Sequence, residues 1–367
     1  MRITRATLHA LPFEFVSGGF TTAYGRRTHL NNALLQLETG SGLTGTGEIA
    51  RKAGNTAEPI APDMVAGSVH HLERIIGAEP LNLAAVRDAL GDVDPAFSNL
   101  ATATEVACFD LMGQRASIPL YGLLGGARQA SVPEYISISQ DTPERMAADA
   151  ADAREKDLTV FQIKVGGDGE PSVDEGRICA VLDAIGPNHT LLADANGGWG
   201  ISIACAIISR FDEPRLFWEE PCGTYAENKT VAKESGRPVI LDQCVTGPDI
   251  TARACADGDV AGIGIKITMQ GGLQVGRLSR DLAIAHGLKL KVDDSWGADA
   301  TTAASLHLAL AVPPRNLLCG IDMRPYFSDR VSATGPTRLA GRVAPGDAPG
   351  LGLTPDLSNL GKPLAVV

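Results

Sequence analysis

The chain has 367 residues, of which 44% are apolar and 20% charged, and its net charge is -11 at pH 7. That composition is typical of a folded globular protein and argues against extensive disorder. The acidic balance argues against nucleic acid or a membrane surface as a partner, because both need a basic face. No run of about 18 apolar residues occurs, so no membrane-spanning helix is expected.

The cysteines and the N-terminus favour a cytoplasmic protein. The seven cysteines form no C-x-x-C pair and are odd in number, which argues against structural disulfides and a zinc site. Nothing at the N-terminus resembles a signal peptide. The sequence therefore predicts a reducing compartment.

The first third of the chain predicts a mixed α+β unit. Polar and apolar residues alternate over residues 1–12 and 32–38, which indicates antiparallel strands, and the glycine-rich residues 41–47 are interpreted as a turn. Residues 13–25, rich in glycine and aromatics, are predicted to form a mobile covering loop. Helical patterns follow at three places before proline and glycine end the unit near residue 126: residues 62–76, 83–90 and 101–115.

The stretch from Phe161 to Asp322 repeats a short apolar run that ends in a polar residue. The end residues are Lys164, Asp194, Glu219, Asp242, Lys266, Asp293 and Asp322. Their intervals, from 23 (219 to 242) to 30 (164 to 194), fit a βα unit of about thirty residues. With residues 132–139 as a first strand, the sequence predicts a (β/α)8 barrel that carries these polar side chains at its mouth. A barrel uses about 250 residues, so the remainder is expected to form a second unit.

Asp194, Glu219 and Asp242 are expected to meet at the ends of three neighbouring strands. Three anions at such short distances repel one another strongly unless a cation binds between them. The donors are all hard oxygens, and no histidine ends any of these runs, so the sequence predicts a site for Mg²⁺, with Mn²⁺ as a substitute. The alternative is three separately solvated carboxylates, which the regular spacing of the set disfavours.

Lys164 and Lys266 flank these carboxylates in the chain and are predicted to lie on opposite sides of the barrel mouth. A lysine near a metal and another cation has a lowered pKa and can act as a general base near neutral pH. Two such lysines facing one carbon can remove a proton from one face and return it to the other. A Schiff-base lysine is the alternative, but it does not explain the carboxylates.

Asp293, Asp294, Trp296 and Asp322 follow the last two predicted strands. They add acid and an aromatic ring to the mouth, which indicates a cationic group on the substrate. Asp293 or Asp294 can equally serve to hold Lys266 in place. For Asp322 the structural alternative is to cap the turn that follows it.

Five motifs carry a resemblance to a known family: Gln162-Ile-Lys164, Asp194-Ala-Asn196, Glu219-Glu-Pro221, Leu241-Asp-Gln243 and Lys266-Ile-Thr-Met-Gln-Gly-Gly272. In order and spacing the chain resembles the enolase superfamily, in its muconate lactonising subgroup, over essentially its whole length. The resemblance implies an α/β fold: a modified TIM barrel (residues 128–324), an N-terminal α+β capping domain (1–127), and a segment returning to the cap (325–367).

The same resemblance implies the chemistry. Asp194, Glu219 and Asp242 are expected to bind Mg²⁺, which stabilises an enediolate after the α-proton of a carboxylate substrate is removed. Lys164 and Lys266 are implied as the two acid/base groups. A small-molecule substrate and a homo-oligomer are expected. The predicted substrate contacts are Phe15, Phe20 and Tyr24 of the cap, with cap core as the alternative for these three, and Gln162, Asn196, Asp293, Asp294, Trp296 and Asp322 of the barrel.

Within the subgroup, further motifs are similar to enzymes that act on proline derivatives, the hydroxyproline betaine epimerases and the cis-3-hydroxyproline dehydratases. These motifs are Glu220-Pro-Cys222, Asp293-Asp-Ser-Trp-Gly297 and Pro349-Gly-Leu-Gly352. Dehydration of cis-3-hydroxyproline is the preferred expectation, because Asp322 can accept a hydrogen bond from a secondary ammonium but not from a quaternary one. Epimerisation of a proline derivative or betaine is the alternative, and a non-catalytic metal- or metabolite-binding barrel is a third.

Overall fold

The computed structural model describes residues 1–50, 60, 62–93, 98–167, 170–294, 296–328 and 330–367. It begins with strands and continues with helices. The strands of this first part are β1 (Ile3–Glu14), β2 (Phe20–Thr22), β3 (Gly25–Arg27), β4 (His29–Thr39) and β5 (Thr44–Ile49). The helices that follow are α1 (Pro62–Glu73), α2 (Leu83–Leu90), α3 (Ser98–Ala116) and α4 (Leu120–Leu123).

The predicted antiparallel sheet is present, with β1 paired to β4 and β4 paired to β5. The interpretation of residues 41–47 as a turn is wrong beyond residue 43, because β5 begins at Thr44. The glycines of β5 serve close packing instead. A Cβ at Gly45 would lie 2.2 Å from the backbone oxygen of Ala107, and one at Gly47 would lie 2.0 Å from that of Ala103, both on α3. Only glycine lets the strand approach the helix this closely.

The predicted loop over residues 13–25 contains strand residues at both ends and a turn between them. β1 continues to Glu14, and β2 pairs with β3 as a small antiparallel hairpin. The hairpin is attached to the barrel, since Thr21 N donates to Ser139 Oγ at 2.8 Å and Gln140 N donates to Thr21 O at 3.0 Å. Residues 20–27 therefore form a flap above the barrel mouth.

The barrel follows the predicted βα rhythm. The predicted first strand over residues 132–139 is divided into β6 (Val132–Pro133), which lies outside the barrel sheet, and β7 (Tyr135–Ile138), which begins it. The other strands of the barrel are β8 (Val160–Lys164), β9 (Thr190–Asp194), β10 (Leu216–Glu219), β11 (Val239–Leu241), β12 (Gly262–Lys266), β13 (Lys289–Asp293) and β14 (Leu317–Gly320). Its helices are α5 (Pro143–Arg154), α6 (Pro171–Ile185), α7 (Ile201–Ile208), α8 (Tyr225–Ser235), α9 (Pro248–Asp257), α10 (Ile267–Gln270), α11 (Leu273–Ala285) and α12 (Asp299–Leu310).

One parallel sheet of eight strands runs in sequence order from β7 to β14. An isolated parallel bridge between Glu134 and Gly320 joins its two edges. This closure is the predicted (β/α) barrel. Both faces of each strand are covered, by side chains inside and helices outside, and for that reason the strands are short, continuous apolar runs.

Local sequence signals fix where the helices start and stop. At α8 the Thr224 hydroxyl accepts from the N–H of Glu227, and the Glu227 carboxylate accepts from the N–H of Thr224. This capping box is worth about 1 kcal/mol. The helix ends at Gly236, whose φ of 62° suits a left-handed C-cap.

The C-terminal segment contributes β15 (Thr337–Leu339), β16 (Arg342–Ala344) and β17 (Ala365–Val366), after a short 3-10 turn at Arg324–Tyr326. β17 pairs with β1, so the segment returns to the N-terminal sheet as expected. The hairpin of β15 and β16 pairs through β16 with β6 in a separate three-stranded sheet, which the sequence did not indicate. No helix within the described ranges is both long and apolar enough to cross a bilayer.

A buried carboxylate joins the N-terminal sheet to the barrel. Glu48 of β5 accepts from Ala298 N at 2.7 Å and from Thr301 N at 3.2 Å, at the start of α12. It also accepts from Asn32 Nδ2 of β4, which in turn donates to Trp296 O at 2.8 Å. Burial raises the pKa of Glu48 to about 7, against the lowering effect of these hydrogen bonds.

Candidate active site

The three predicted metal ligands lie together at the carboxyl ends of adjacent strands. Asp194 ends β9, Glu219 ends β10, and Asp242 follows β11 directly. One oxygen from each carboxylate lies within 4.8 Å of the others, and all three side chains are buried. Neighbouring strands are in register here, with Asp194 opposite Glu219. The sheet therefore brings the predicted residues to one point.

The donor set fits a hard divalent cation. Asp242 Oδ1 is buried and has no hydrogen-bond partner among the described residues, so it is an acceptor without a donor. Burial raises the pKa of Glu219 to about 7, and the charges of Asp194 and Asp242 add to the rise against the lowering effect of Lys291. Carboxylate oxygens in such a group favour Mg²⁺.

The two predicted acid/base lysines contact this group of carboxylates, one from each side. Lys164, at the end of β8, contacts Asp194 Oδ2, and Lys266, at the end of β12, lies 2.6 Å from Asp242 Oδ2. Both line one cavity. Burial lowers the pKa of Lys266, but Asp242 and Asp293 raise it more, so it lies above the ordinary value for a lysine.

Gln162 and Asn196, predicted as substrate contacts, line the cavity and also orient the ligands. Gln162 Nε2 donates to Glu219 Oε2 at 2.7 Å and to Asp194 Oδ2 at 3.2 Å. Asn196 donates from both its backbone N and its Nδ2 to Asp194, at 2.9 and 3.0 Å. Its φ of 47° is left-handed, a conformation that asparagine tolerates well. Such contacts fix ligand geometry.

A buried lysine that the sequence analysis passed over lies beneath the site. Lys291 Nζ is 2.6 Å from Glu219 Oε1 and 2.6 Å from Asp293 Oδ2, and it lies 4.8 Å from the centre of the Tyr135 ring. The Tyr135 hydroxyl donates to Asp293. Asp293 also lies 3.4 Å from Lys266, so it serves the predicted alternative role of holding that lysine. Lys291 and Asp293 are two apart on β13 and share its inner face, which is the only sequence signal for this contact.

A second missed residue is Glu220, which supports the third ligand. Its φ of 40° lies in the left-handed region, and its carboxylate accepts from Asp242 N at 2.5 Å and from Cys244 N at 2.9 Å. Burial raises the pKa of Glu220 to about 8, with the charge of Asp242 adding to the rise. The residue pins the turn that carries Asp242.

The cavity above these groups has a volume of about 380 Å³. That volume is ample for a small amino acid. Seven of the nine predicted substrate contacts line it: Phe20, Tyr24, Gln162, Asn196, Asp293, Asp294 and Trp296. The other wall residues include Arg27, Tyr135, Ser137 and Tyr326, none of which was predicted.

Phe15 and Asp322 are the two predicted contacts that do not line the cavity. Phe15 is buried behind the wall, with its ring centre 5.4 Å from that of Trp296 and 5.3 Å from that of Phe327, so it packs between the N-terminal part and the barrel. Phe20 packs in the same cluster but reaches the cavity, with its ring centre 5.2 Å from that of Trp296.

The prediction that Asp322 faces the substrate nitrogen is wrong. Its carboxylate is paired with Arg324, at 2.8 Å to Nε and 2.6 Å to Nη2, and it accepts from Arg324 N at 3.1 Å. The structural alternative of a turn cap is the one observed. β14 ends at Gly320, so Asp322 lies two residues beyond the strand, and the cavity receives Ile321 and Met323 instead.

A barrel whose mouth carries a buried acidic triad between two lysines, beneath a strand-rich N-terminal unit, defines a barrel enzyme equipped for metal-assisted proton transfer. Family comparison agrees. Residues 145–359 match the model described as enolase C-terminal domain-like. Residues 12–125 match the N-terminal domain of mandelate racemase / muconate lactonizing enzyme. The chain belongs to this family of the enolase superfamily and is an enzyme.

Individual relatives have related activities. Cis-3-hydroxy-L-proline dehydratase from Roseibium aggregatum is 31% identical over 366 residues, which is 100% of this chain and 99% of that protein. A hydrophobic dipeptide epimerase from Enterococcus faecalis is 26% identical over 348 residues, which is 91% of this chain and 95% of that protein. A member of the enolase superfamily from Roseovarius nubinhibens, solved in complex with magnesium, superposes with a TM-score of 0.89 at 29% identity, over 100% of this chain and 99% of that one.

Proposed function

We propose that this enzyme removes the α-proton of a proline-type amino acid in the presence of Mg²⁺, and that its reaction is the dehydration of cis-3-hydroxy-L-proline. The observation that carries the proposal is the pair of lysines, Lys164 and Lys266, that line one cavity from either side of the acidic triad. The full-length similarity to the Roseibium aggregatum dehydratase supports the choice of substrate.

Asp194, Glu219 and Asp242 would hold the metal. When bound there, Mg²⁺ supplies a positive charge that stabilises the negative charge gained by the substrate carboxylate when the α-proton is removed. The same charge lowers the pKa of nearby lysines. Gln162 and Asn196 keep the ligand oxygens in place through their hydrogen bonds. Lys291 holds Glu219 from below.

The lysines would transfer the protons. One lysine takes the α-proton, which leaves the electron pair in an enediolate of the substrate carboxylate. Collapse of that enediolate breaks the bond between C3 and the hydroxyl oxygen, and a protonated lysine gives the departing hydroxyl its proton, so that water leaves. Phe20 and Trp296 form an apolar wall that limits access of solvent to the enediolate.

Epimerisation of a proline derivative is the second candidate. Lysines on both sides of a cavity suit proton removal from one face of the α-carbon and return to the other. The aromatic rings of Phe20, Trp296 and Tyr326 suit a cationic nitrogen. The Asp322 argument for dehydration no longer applies, because that carboxylate is occupied by Arg324. Dehydration therefore depends on the sequence similarity alone.

Proton NMR in D₂O separates the two reactions. Cis-3-hydroxy-L-proline, L-proline and a hydroxyproline betaine are incubated with enzyme and Mg²⁺. Dehydration gives loss of the signal of the proton on C3, which carried the hydroxyl, and deuterium in the product. Epimerisation leaves the ring substituents intact and gives a deuterated diastereomer of a hydroxylated substrate or deuterated proline from L-proline. Matched samples in EDTA are expected to show neither reaction. No exchange of any α-proton in the Mg²⁺ samples would refute the proposal.

The setting of the enzyme is also proposed. All seven cysteines are free, which suits the reducing cytoplasm. We expect a homo-oligomer, as the sequence resemblance implies, and light scattering measures its mass.

A further inference from the structure

Three charged side chains that line the cavity, Lys164, Lys266 and Asp293, form ion pairs. Lys164 pairs with Asp194, Lys266 with Asp242, and Asp293 with Lys291. Arg27 also lines the cavity, yet it has no ion pair and no side-chain hydrogen bond to any residue that the structure describes. A guanidinium carries five donors, and placing it in a concave site without an acceptor is unfavourable.

The fold directs Arg27 inward. It ends β3 and lies opposite Phe20 of β2 in the hairpin above the barrel mouth. Hydrogen bonds of Thr21 hold the hairpin over the cavity. The preceding residue, Arg26, is exposed and donates to Gly18 O at 3.0 Å. Alternation along the strand therefore places one arginine outside and the next one inside.

Burial lowers the pKa of Arg27, and no carboxylate within the described part of the chain offsets that effect. Two other arginines do have a carboxylate partner: the exposed Arg338 pairs with Glu134, and the buried Arg280 pairs with Asp281. The flap thus holds a cation whose acceptor is not supplied by the described residues. The metal ligands lie at the ends of strands β9 to β11, whereas Arg27 lines the cavity from the flap, and none of the three ligand carboxylates forms an ion pair with it. Arg27 is therefore available to a part of a bound substrate other than the carboxylate at the metal site.

We propose that Arg27 is a substrate-binding residue that donates hydrogen bonds to an oxygen on the ring of the substrate, away from the reacting carboxylate. The class of substrate it selects is a proline-type amino acid with an oxygen substituent. That oxygen is either a neutral hydroxyl or a carboxylate. The inference rests on the proposed α-proton chemistry, and it specifies which substituent of the substrate the flap binds.

The test compares Arg27→Met with Arg26→Met, which removes the neighbouring, outward-facing charge. Exchange of the α-proton in D₂O with Mg²⁺ is measured on L-proline, cis-3-hydroxy-L-proline and pyrrolidine-2,4-dicarboxylate, because exchange needs no leaving group. Arg27→Met is expected to lower kcat/KM about tenfold or more on the substituted rings and within about twofold on L-proline, since only the charge-assisted hydrogen bond is lost. A larger loss of kcat/KM on the dicarboxylate identifies an anionic substituent as the group that Arg27 binds. A larger loss on cis-3-hydroxy-L-proline identifies a hydroxyl group. Arg26→Met is expected to match the wild type on all three.

Equal losses on all three substrates, or no loss on any, overturn the assignment of Arg27. Arg27→Lys is expected to recover part of the loss, because it restores the charge without the planar fork. Failure of the proposed function has a different result, in which the wild type exchanges none of the three. In that case the melting temperature of the Mg²⁺-loaded wild type is measured with succinate and with acetate to test whether Arg27 binds an anionic group. Greater stabilisation by succinate that disappears in Arg27→Met supports the site, and equal stabilisation overturns it.

Discussion

Replacing Lys291 with methionine tests the role of the buried cation beneath the triad. The substitution keeps an unbranched side chain but removes the charge that lies 2.6 Å from both Glu219 and Asp293. Lys291 is fully buried, so no water can take its place. Breaking a buried ion pair by removing one partner costs about 3 to 5 kcal/mol.

The expected loss lies near the lower end of that range, at about 3 kcal/mol, because each carboxylate keeps another donor. Glu219 retains Gln162 Nε2 at 2.7 Å, and Asp293 retains the Tyr135 hydroxyl. Urea unfolding in EDTA, followed by circular dichroism, measures the loss as a lower midpoint at unchanged slope. Lys289→Met is the matched control, since Lys289 lies two residues earlier on β13 and its Nζ makes a surface hydrogen bond to Arg315 O.

A loss below about 1 kcal/mol, or equal to that of Lys289→Met, would refute the reasoning. The double variant Lys291→Met, Glu219→Gln gives a second check. Removing the negative charge as well is expected to recover part of the stability, so the two substitutions are non-additive. Simple additivity would show that Lys291 and Glu219 do not depend on each other.

Three further predictions follow. Lys164→Ala and Lys266→Ala should each lower turnover by about 10²-fold or more in the D₂O assay, as the loss of a general acid or base does, and full activity of either variant would contradict the acid/base assignment. Burial lowers the pKa of His307 to about 4, below the unfolded value of about 6.5, so the unfolded chain binds a proton that the folded one excludes. The free energy of unfolding therefore falls as the pH drops from about 6.5 to 4, by up to about 3 kcal/mol. His307→Gln should remove that component from urea midpoints measured across this range, and an unchanged pH dependence would show that His307 titrates normally. Gly47→Ala should cost about 1 to 3 kcal/mol by forcing β5 away from α3, whereas Gly40→Ala, whose new Cβ would meet the Thr4 side chain at an ordinary 3.5 Å, should be close to neutral in the same assay.

The barrel and its triad were predictable because both depend on local pattern. Strands covered on both faces must be apolar, so a polar residue at the end of each run is conspicuous. Asp194, Glu219 and Asp242 stand out for that reason, and regular spacing sets them on neighbouring strands. No long-range contact had to be known in advance.

Lys291 was passed over because the same pattern hides it. It lies inside the run Leu290-Lys-Val-Asp293, where a lysine is ordinarily a surface residue. Its partners, Glu219 and Tyr135, are 72 and 156 positions away in the chain (291 less 219 and 291 less 135), and only closure of the barrel brings them together. Arg27 lies just beyond residues 13–25, which were interpreted as a loop, so the hairpin that directs it inward was not predicted.

Two errors came from contacts that composition does not encode. Asp322 was placed at the mouth by its spacing, but Arg324, two residues later in a 3-10 turn, captures its carboxylate. Gly45 and Gly47 were interpreted through backbone flexibility, whereas their role is steric, to admit the backbone of α3. In both cases a neighbour decided between two roles that the residue type allows.

The Glu48 contact also restricts how a ligand can enter. If the N-terminal sheet swung away from the barrel as a rigid body, the N–H groups of Ala298 and Thr301 at the start of α12 would lose their acceptor. The flap at residues 20–27 has fewer ties to the barrel, chiefly those of Thr21. Lifting the flap alone is therefore the less costly route, so the rate of substrate entry and product release depends on a hinge of a few residues and not on separation of the two parts of the chain.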